Sequence, residues 1–471
     1  MRSSLVLAAI ILTAFGASNG QSRRVSPVPA SADVAADLTV KQMFDEANGY
    51  SKSKFADFEQ RKIAYSERLR LQTEREQKQL AAKYATSAAT RSALSGEDLY
   101  YVGLLHWIAE NLDGTTEFLK RHLEAPDQKP ERMQNARSIL VFVFAKQKKF
   151  DEAHKYFADY DNGSGTKVSD RWRMNSELAK SYIAVKDYAK AATHASRAYE
   201  ASKLLVESGS ASVNPADAVL DAGMLLFEAH RDAGNVKEAD TALEDMKKTA
   251  SIMNSPMFFF YAADKLITYQ IETGRKAAGM ETYLTSLIQA GKDFAAKGTN
   301  NEAIQRLKKR EKHYKLLRES APEFVGFQQW FPGTPQTLAS LKGKVVLLDF
   351  WATWCAPCFD AFPSLSEWHQ DLAGKGLVII GATRYYGRVD GLNANKESEI
   401  AFLKRFKEKH SLGYDFAVAD GTDMQILYGA TSLPTAVLID RKGVVRYIES
   451  GTNPSRIEEL RAMILKLLAE M

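Results

Sequence analysis

Between residues 38 and 320, apolar positions return at three- and four-residue steps, with polar and charged residues between them. That period puts an apolar stripe on each of a series of helices and predicts an all-α region. Prolines are few, and Pro126, Pro130, Pro215 and Pro256 all fall between periodic segments, where helices begin or end. Residues 44–85 read as one long amphipathic stretch, with Phe55, Phe58, Ile63, Leu69, Leu71, Leu80 and Tyr84 among charges. Further helices are expected at 136–146, 175–185 and 218–233, and helix pairs at 99–123 and 257–290. After residue 320 the pattern changes. Short apolar runs at 345–351, 377–383, 416–419, 436–440 and 444–448 predict strands. Amphipathic stretches at 397–410 and 454–470 predict helices among them, which indicates an α/β domain.

Three segments of the helical region share a pattern. KKFDEAHKYF, KDYAKAATHA and GNVKEADTAL each place an apolar residue after a turn and an alanine three positions later. The pairs are Phe150/Ala153, Tyr188/Ala191 and Val236/Ala239. A small residue lets two helices approach, and an aromatic fills the gap beside it. Ala179, Tyr182, Tyr188, Ala191 and Ala198 together resemble the tetratricopeptide pattern. The repeat alanines stand 38 and 48 residues apart, against about 34 in that family. The expectation is an irregular, tetratricopeptide-like α-solenoid. Such surfaces are concave and take peptides or proteins, so a protein partner is expected there. His106, His194 and His230 read as packing or surface residues, and Phe258–Tyr261 as core. The basic segment 306–318 reads as a solvated amphipathic helix linking the two parts.

The first twenty residues have the layout of a secretory signal. Arg2 precedes an apolar run at 5–15, and the small residues Ala17, Ser18 and Gly20 follow. Eleven apolar residues are too few to span a bilayer. The expected division is a signal peptide at 1–20, a flexible leader at 21–37, the helical domain at 38–320 and the α/β domain at 321–471. Export to the periplasm or the exterior follows. A net charge of +5 over 471 residues, with no clustered basic face, gives no case for nucleic-acid binding.

The candidate chemistry lies in the only two cysteines, Cys355 and Cys358, where the 345–351 strand hands over to a helical pattern. Unpaired N–H groups in a first helical turn favour an anion, which lowers a thiol pKa and makes the thiolate that attacks disulfides. The second cysteine, three positions on, shares the same helical face. Cys355 is thus the expected nucleophile and Cys358 the resolving thiol. A zinc site would need a further Cys or His pair, and a four-residue loop makes a poor structural staple. Neither metal nor bound cofactor is expected beyond the cysteine pair.

FWATWCAPC, followed by Pro363 eight residues after Cys355, resembles the active site of the thioredoxin superfamily. ASLKGKVVLLDFWATWCAPC and YGATSLPTAVLIDRKGVV carry the resemblance, which points to the extracytoplasmic TlpA/ResA-like branch and runs from about residue 321 to the C-terminus. It implies a thioredoxin-like fold and a thiol–disulfide oxidoreductase that reduces disulfides of exported proteins, with a membrane thiol relay as electron donor. It makes Pro434 the cis-proline facing the cysteines and gives Leu433 backbone groups that meet an extended substrate. Trp354, Ala356 and Pro357 become substrate contacts. Asp349 matches the family's buried acid, which helps take a proton from the second cysteine; a strand acid bonded to backbone is the alternative. Two other readings stay open. One is a helical-repeat binding scaffold with an accessory redox domain. The other is a peroxiredoxin-related peroxidase, in which Thr usually stands where this chain has Ala352. Tyr385 and Tyr386, in a loop insertion at 384–396, are candidates for substrate selection.

Overall fold

The structure is a computed structural model in which residues 38–63, 65–126, 128–208, 214–294 and 302–470 are described. The expected signal peptide and leader lie outside them. The chain divides into two compact units, 2–242 and 243–471. Among the described residues no helix is long and apolar enough to cross a membrane.

The first unit holds α1 (Val40–Gln60), α2 (Glu67–Ala89), α3 (Gly96–Ile108), α4 (Leu112–Glu124), α5 (Pro130–Lys146), α6 (Phe150–Asp161), α7 (Val168–Ala184), α8 (Tyr188–Glu207), α9 (Pro215–Asp232) and the start of α10 (Val236–Ile252). α3 packs on α4, α5 on α6 and α7 on α8. The joints are alike. Three residues connect α3 to α4, α5 to α6, α7 to α8 and α9 to α10. The middle residue is left-handed each time: Glu110 (φ 57°), Lys148 (60°), Lys186 (63°) and Gly234 (77°). The N–H of the third residue then reaches back five positions: Asn111 to His106, Lys149 to Phe144, Asp187 to Tyr182 and Asn235 to His230. That bond caps carbonyls the helix end leaves open. It offsets part of the roughly 1–2 kcal/mol a side chain costs in a left-handed residue. Ala153, Ala191 and Ala239 are fully buried, as helices in close approach require. Residues 44–85 form two helices instead of one stretch, because Lys62 turns left-handed and Ser66 caps α2 by accepting from the Leu69 N–H.

The second unit opens with α11 (Pro256–Glu272), α12 (Lys276–Asp293) and α13 (Glu302–Leu316). Pro130, Pro215 and Pro256 each sit in the first turn of a helix, where no N–H is missed. The α/β part follows in the order β1 (Phe327–Phe331), β2 (Val345–Phe350), α14 (Ala356–Phe359), α15 (Phe362–Leu372), β3 (Leu377–Arg384), β4 (Arg388–Val389), β5 (Leu392–Asn393) and α16 (Lys396–Lys409). It ends with β6 (Asp415–Ala419), α17 (Asp423–Tyr428), β7 (Thr435–Ile439), β8 (Val445–Ser450) and α18 (Pro454–Ala469). Six strands form one sheet in the order β1-β6-β3-β2-β7-β8, and β4 and β5 form a separate hairpin. β2 runs parallel to β3 and antiparallel to β7. Flanked on both edges and covered on both faces, it is buried at every position. The core on one face joins Val345, Leu347 and Trp351 to Leu365 and Trp368 of α15 and Ile464 and Leu467 of α18. The expected helical region and thioredoxin-like α/β domain are both present.

The segment 306–318 differs from the solvated helix expected of it. One face of α13 is buried, and beside Ala303, Leu307, Tyr314 and Leu316 it carries Arg310 and His313. Arg310, 9% exposed, pairs with Asp264 (2.9 Å) and Glu449 (3.3 Å). It also donates to the Ile448 carbonyl at 3.2 Å and lies 2.9 Å from His313 Nδ1. His313 Nε2 lies 2.8 Å from the Gly429 carbonyl. Burial, then the Arg310 charge, pulls the His313 pKa down to about 4, so the ring is neutral and accepts at Nδ1. Removing one partner from a buried charge cluster leaves the others uncompensated. Arg310→Ala is therefore expected to lower unfolding free energy by about 3 kcal/mol in denaturant titration, the low end of the range because Glu449 keeps Arg456 and Asp264 keeps Tyr314. Lys265→Ala, at a partly exposed pair with Glu459, should stay within about 0.5 kcal/mol. Equal effects at the two sites would show that the Arg310 cluster is not a buried network.

Candidate active site

The chain leaving β2 is held tightly before it reaches the cysteines. Trp351 is buried with its ring 4.7 Å from Phe416 and 5.3 Å from Phe406. The Cys355 N–H donates to the Ala352 carbonyl at 3.1 Å, and the Cys358 N–H to the Cys355 carbonyl at 2.9 Å. Cys355 is the N-cap of α14, with Pro357 in the first turn. The helical stretch after the cysteines is broken before Pro363: α14 ends at Phe359 and α15 starts at Phe362. Pro363 has no N–H for the Phe359 carbonyl, and its ring crowds that position.

Cys355 and Cys358 are joined in a disulfide. Both cysteines are buried, Cys355 slightly less so, at 4% exposure against 1% for Cys358. Around them the surface is open: Ala356 and Pro357 are exposed, and Trp354 is 64% exposed. The other face of the site comes from the chain entering β7. The Leu433–Pro434 bond is cis. Phe350 pairs with Thr435, which puts Pro434 beside the chain leaving β2 toward the cysteines. Thr435 Oγ1 lies 2.6 Å from the Ser432 carbonyl and 2.8 Å from Ser450 Oγ, and this pins the turn. Leu433 packs on the core cluster that contains both cysteines.

Asp349 lies on the same strand face as Leu347 and Trp351 and is buried. Its Oδ2 has no hydrogen-bond partner among the described residues. Burial alone pushes its carboxyl up to about 7. Beside it is a cavity with about 30 Å³ of room for water-sized guests, lined by Ala361, Ser364 and Leu365 just after Cys358, by Pro434, and by Glu449 and Arg456. The acid, the proline and the segment after Cys358 therefore face one space. A carboxyl that changes charge near neutrality inside such a space can exchange a proton there. Tyr386 packs against Trp354, whereas Tyr385 lies under Lys396, 5.2 Å from ring centroid to Nζ.

A family model described as AhpC/TSA family matches residues 317–448. A thiol–disulfide oxidoreductase ResA of Bacillus cereus is 32% identical over 157 residues, which are 33% of this chain and 82% of that protein. The chain belongs to the ResA-like thiol–disulfide oxidoreductases. ResA of Bacillus subtilis (strain 168) is 36% identical over 117 residues, 24% of this chain and 58% of that protein. The crystal structure of a thiol:disulfide interchange protein, a thioredoxin family protein from Chlorobium tepidum TLS, aligns over 32% of this chain and 97% of its own, at 24% identity and a TM-score of 0.26.

Two charged residues of this ResA-like site escaped sequence reasoning. Glu449 pairs across β7 and β8 with Ala436, and Ala436 pairs with Asp349. The two acids thus lie in one row across three strands, with a small alanine between them. Arg456 of α18 bonds Glu449 at 2.9 Å. Burial raises the Glu449 pKa against the pull of Arg310 and Arg456. Nothing local marks these residues. The register of β2 on β7 and β7 on β8 would have to be known first.

Proposed function

We propose that this ResA-like oxidoreductase reduces disulfide bonds of exported proteins, with Cys355 as nucleophile and Cys358 as resolving thiol. The observation that carries this is the closed Cys355–Cys358 disulfide, with Cys355 the less buried of the pair. The cycle starts from the dithiol. Cys355 thiolate attacks one sulfur of the substrate disulfide and releases the other as a thiolate. Cys358, its proton passed toward Asp349, attacks Cys355 Sγ. The substrate leaves as a dithiol, two electrons have moved to it, and the disulfide state results. A membrane thiol relay supplies two electrons to reset the pair, so the chemistry asks for no bound cofactor. Trp354, Ala356 and Pro357 form one side of the substrate contact, and the backbone at Leu433 and Pro434 the other. Export rests on the signal-like residues 1–20. Residues 321–471 are the redox part, and the helical residues 38–320 offer surface for a protein partner. The peroxidase reading lacks support at Ala352, where its usual threonine is missing.

Stoichiometry tests the proposal. Reduced protein mixed with a peptide disulfide should yield two peptide thiols for each Cys355–Cys358 bond formed, as counted by alkylation and mass. If the pair stays reduced while hydrogen peroxide oxidises it readily, the peroxidase reading replaces this one.

A further inference from the structure

Trp354 immediately precedes Cys355 and leaves most of its indole in solvent, yet the ring is not free to swing. Tyr386 meets it edge-on, with centroids 5.4 Å apart and planes at 88°. Tyr386 is itself held on several sides. The Arg384 guanidinium lies over its ring at 4.2 Å. Its N–H donates to Glu399 Oε1 at 2.9 Å, and the Arg388 N–H donates to the same oxygen at 3.2 Å. Gln425 Nε2 lies 3.5 Å from its hydroxyl. Glu399 is only 5% exposed, so a buried carboxylate on α16 anchors the loop backbone through charge-assisted bonds. The insertion at 384–396 therefore stiffens an aromatic pair beside the reactive sulfurs.

We infer that Tyr386 is a positioning residue: it fixes the Trp354 indole as a wall of the substrate groove and so favours polypeptide disulfides with an apolar side chain next to the reacting cysteine. The inference rests on the reductase reading above. An exposed indole that must order itself on binding loses side-chain freedom, and one already fixed does not. A fixed apolar wall rewards an apolar neighbour and gives nothing to a small polar one. A disulfide too small to reach the wall should be indifferent to it.

The test uses the full chain and three disulfides: a peptide with leucine beside its cysteine, the same peptide with serine there, and bis(2-hydroxyethyl) disulfide. The parent protein should prefer the leucine peptide through KM. Tyr386→Ala should raise KM for that peptide about fivefold more than it alters turnover of the small disulfide, and kcat should move little. Tyr386→Phe, which keeps the ring and its packing and loses only the hydroxyl's contacts to Gln425 and Arg384, should restore the ratio. If Tyr386→Ala does not fold, the comparison of leucine and serine peptides on the parent protein still decides. Equal KM for those two peptides overturns the inference, as does an equal loss on peptide and small disulfides in a folded Tyr386→Ala. Failure of the parent protein to reduce any of the three overturns the reductase reading itself.

Discussion

Replacing Cys358 by Ser should leave a covalent adduct between Cys355 and a substrate cysteine, and replacing Cys355 by Ser should leave none. Both changes should reduce turnover by about a thousandfold or more, because the two sulfurs act as a unit and either loss breaks the cycle. The asymmetry between the variants carries the information. A serine hydroxyl does not attack a disulfide under these conditions, since the thiolate is the reactive species. With Cys358→Ser the first exchange proceeds and the second cannot, so the mixed disulfide accumulates. With Cys355→Ser the remaining thiol is the more buried of the pair. Non-reducing electrophoresis followed by mass of the linked peptides reads the result. Adducts through residue 358, or full turnover in both variants, would reverse the roles given to the two sulfurs.

What could be read from the chain beforehand follows the range of the forces involved. β2, the cysteine turn and the strand after Pro434 were legible because burial on both faces writes itself as continuous apolar runs. Ala153, Ala191 and Ala239 were legible for a similar reason, since close helix approach admits only small residues. β1 was not, because its FQQWF has no period. It forms by pairing with β6, where Trp330 Nε1 donates to Asp415 at 3.0 Å. α17 has six residues, too few to show helical recurrence. The helix joints at Glu110, Lys148 and Lys186 were hidden because a left-handed position usually announces itself by glycine, as it does at Gly234 and Gly274. At α13 the charges of Arg310 and its neighbours read as a wet surface. Their partners, Asp264 and Glu449, lie far off in sequence, and no local window can pair them.

Asp349→Asn should stabilise the protein and slow it, each in a pH-dependent way. In an unfolded chain an aspartate titrates near 3.9; here burial lifts it to about 7. Between those values the folded protein holds a proton that the unfolded chain has released. The stability contributed by the neutral acid is therefore complete below about pH 4, declines as pH rises, and is lost once pH passes about 7. Three units correspond to about 4 kcal/mol. Asparagine carries no charge at any of these values. Denaturant titration should find the variant close to the parent at pH 4 and up to about 4 kcal/mol more stable at pH 8. The cost should fall on the second exchange. Cys358 must shed its proton to attack, and an amide cannot receive it. Release of substrate from the mixed disulfide at pH 7 should therefore slow by at least about tenfold, while the first attack by Cys355 is little changed. A variant whose stability tracks the parent across the whole range would mean that Asp349 is ionised and partnered in solution. The cavity shared with Pro434 and Ser364 would then hold a charge instead of a proton in transit. Gain in stability and loss in rate have one origin here: a carboxyl kept out of water with one oxygen unpartnered is unfavourable for the fold, and that same isolation brings its pKa to the value at which it can take a proton and give it back.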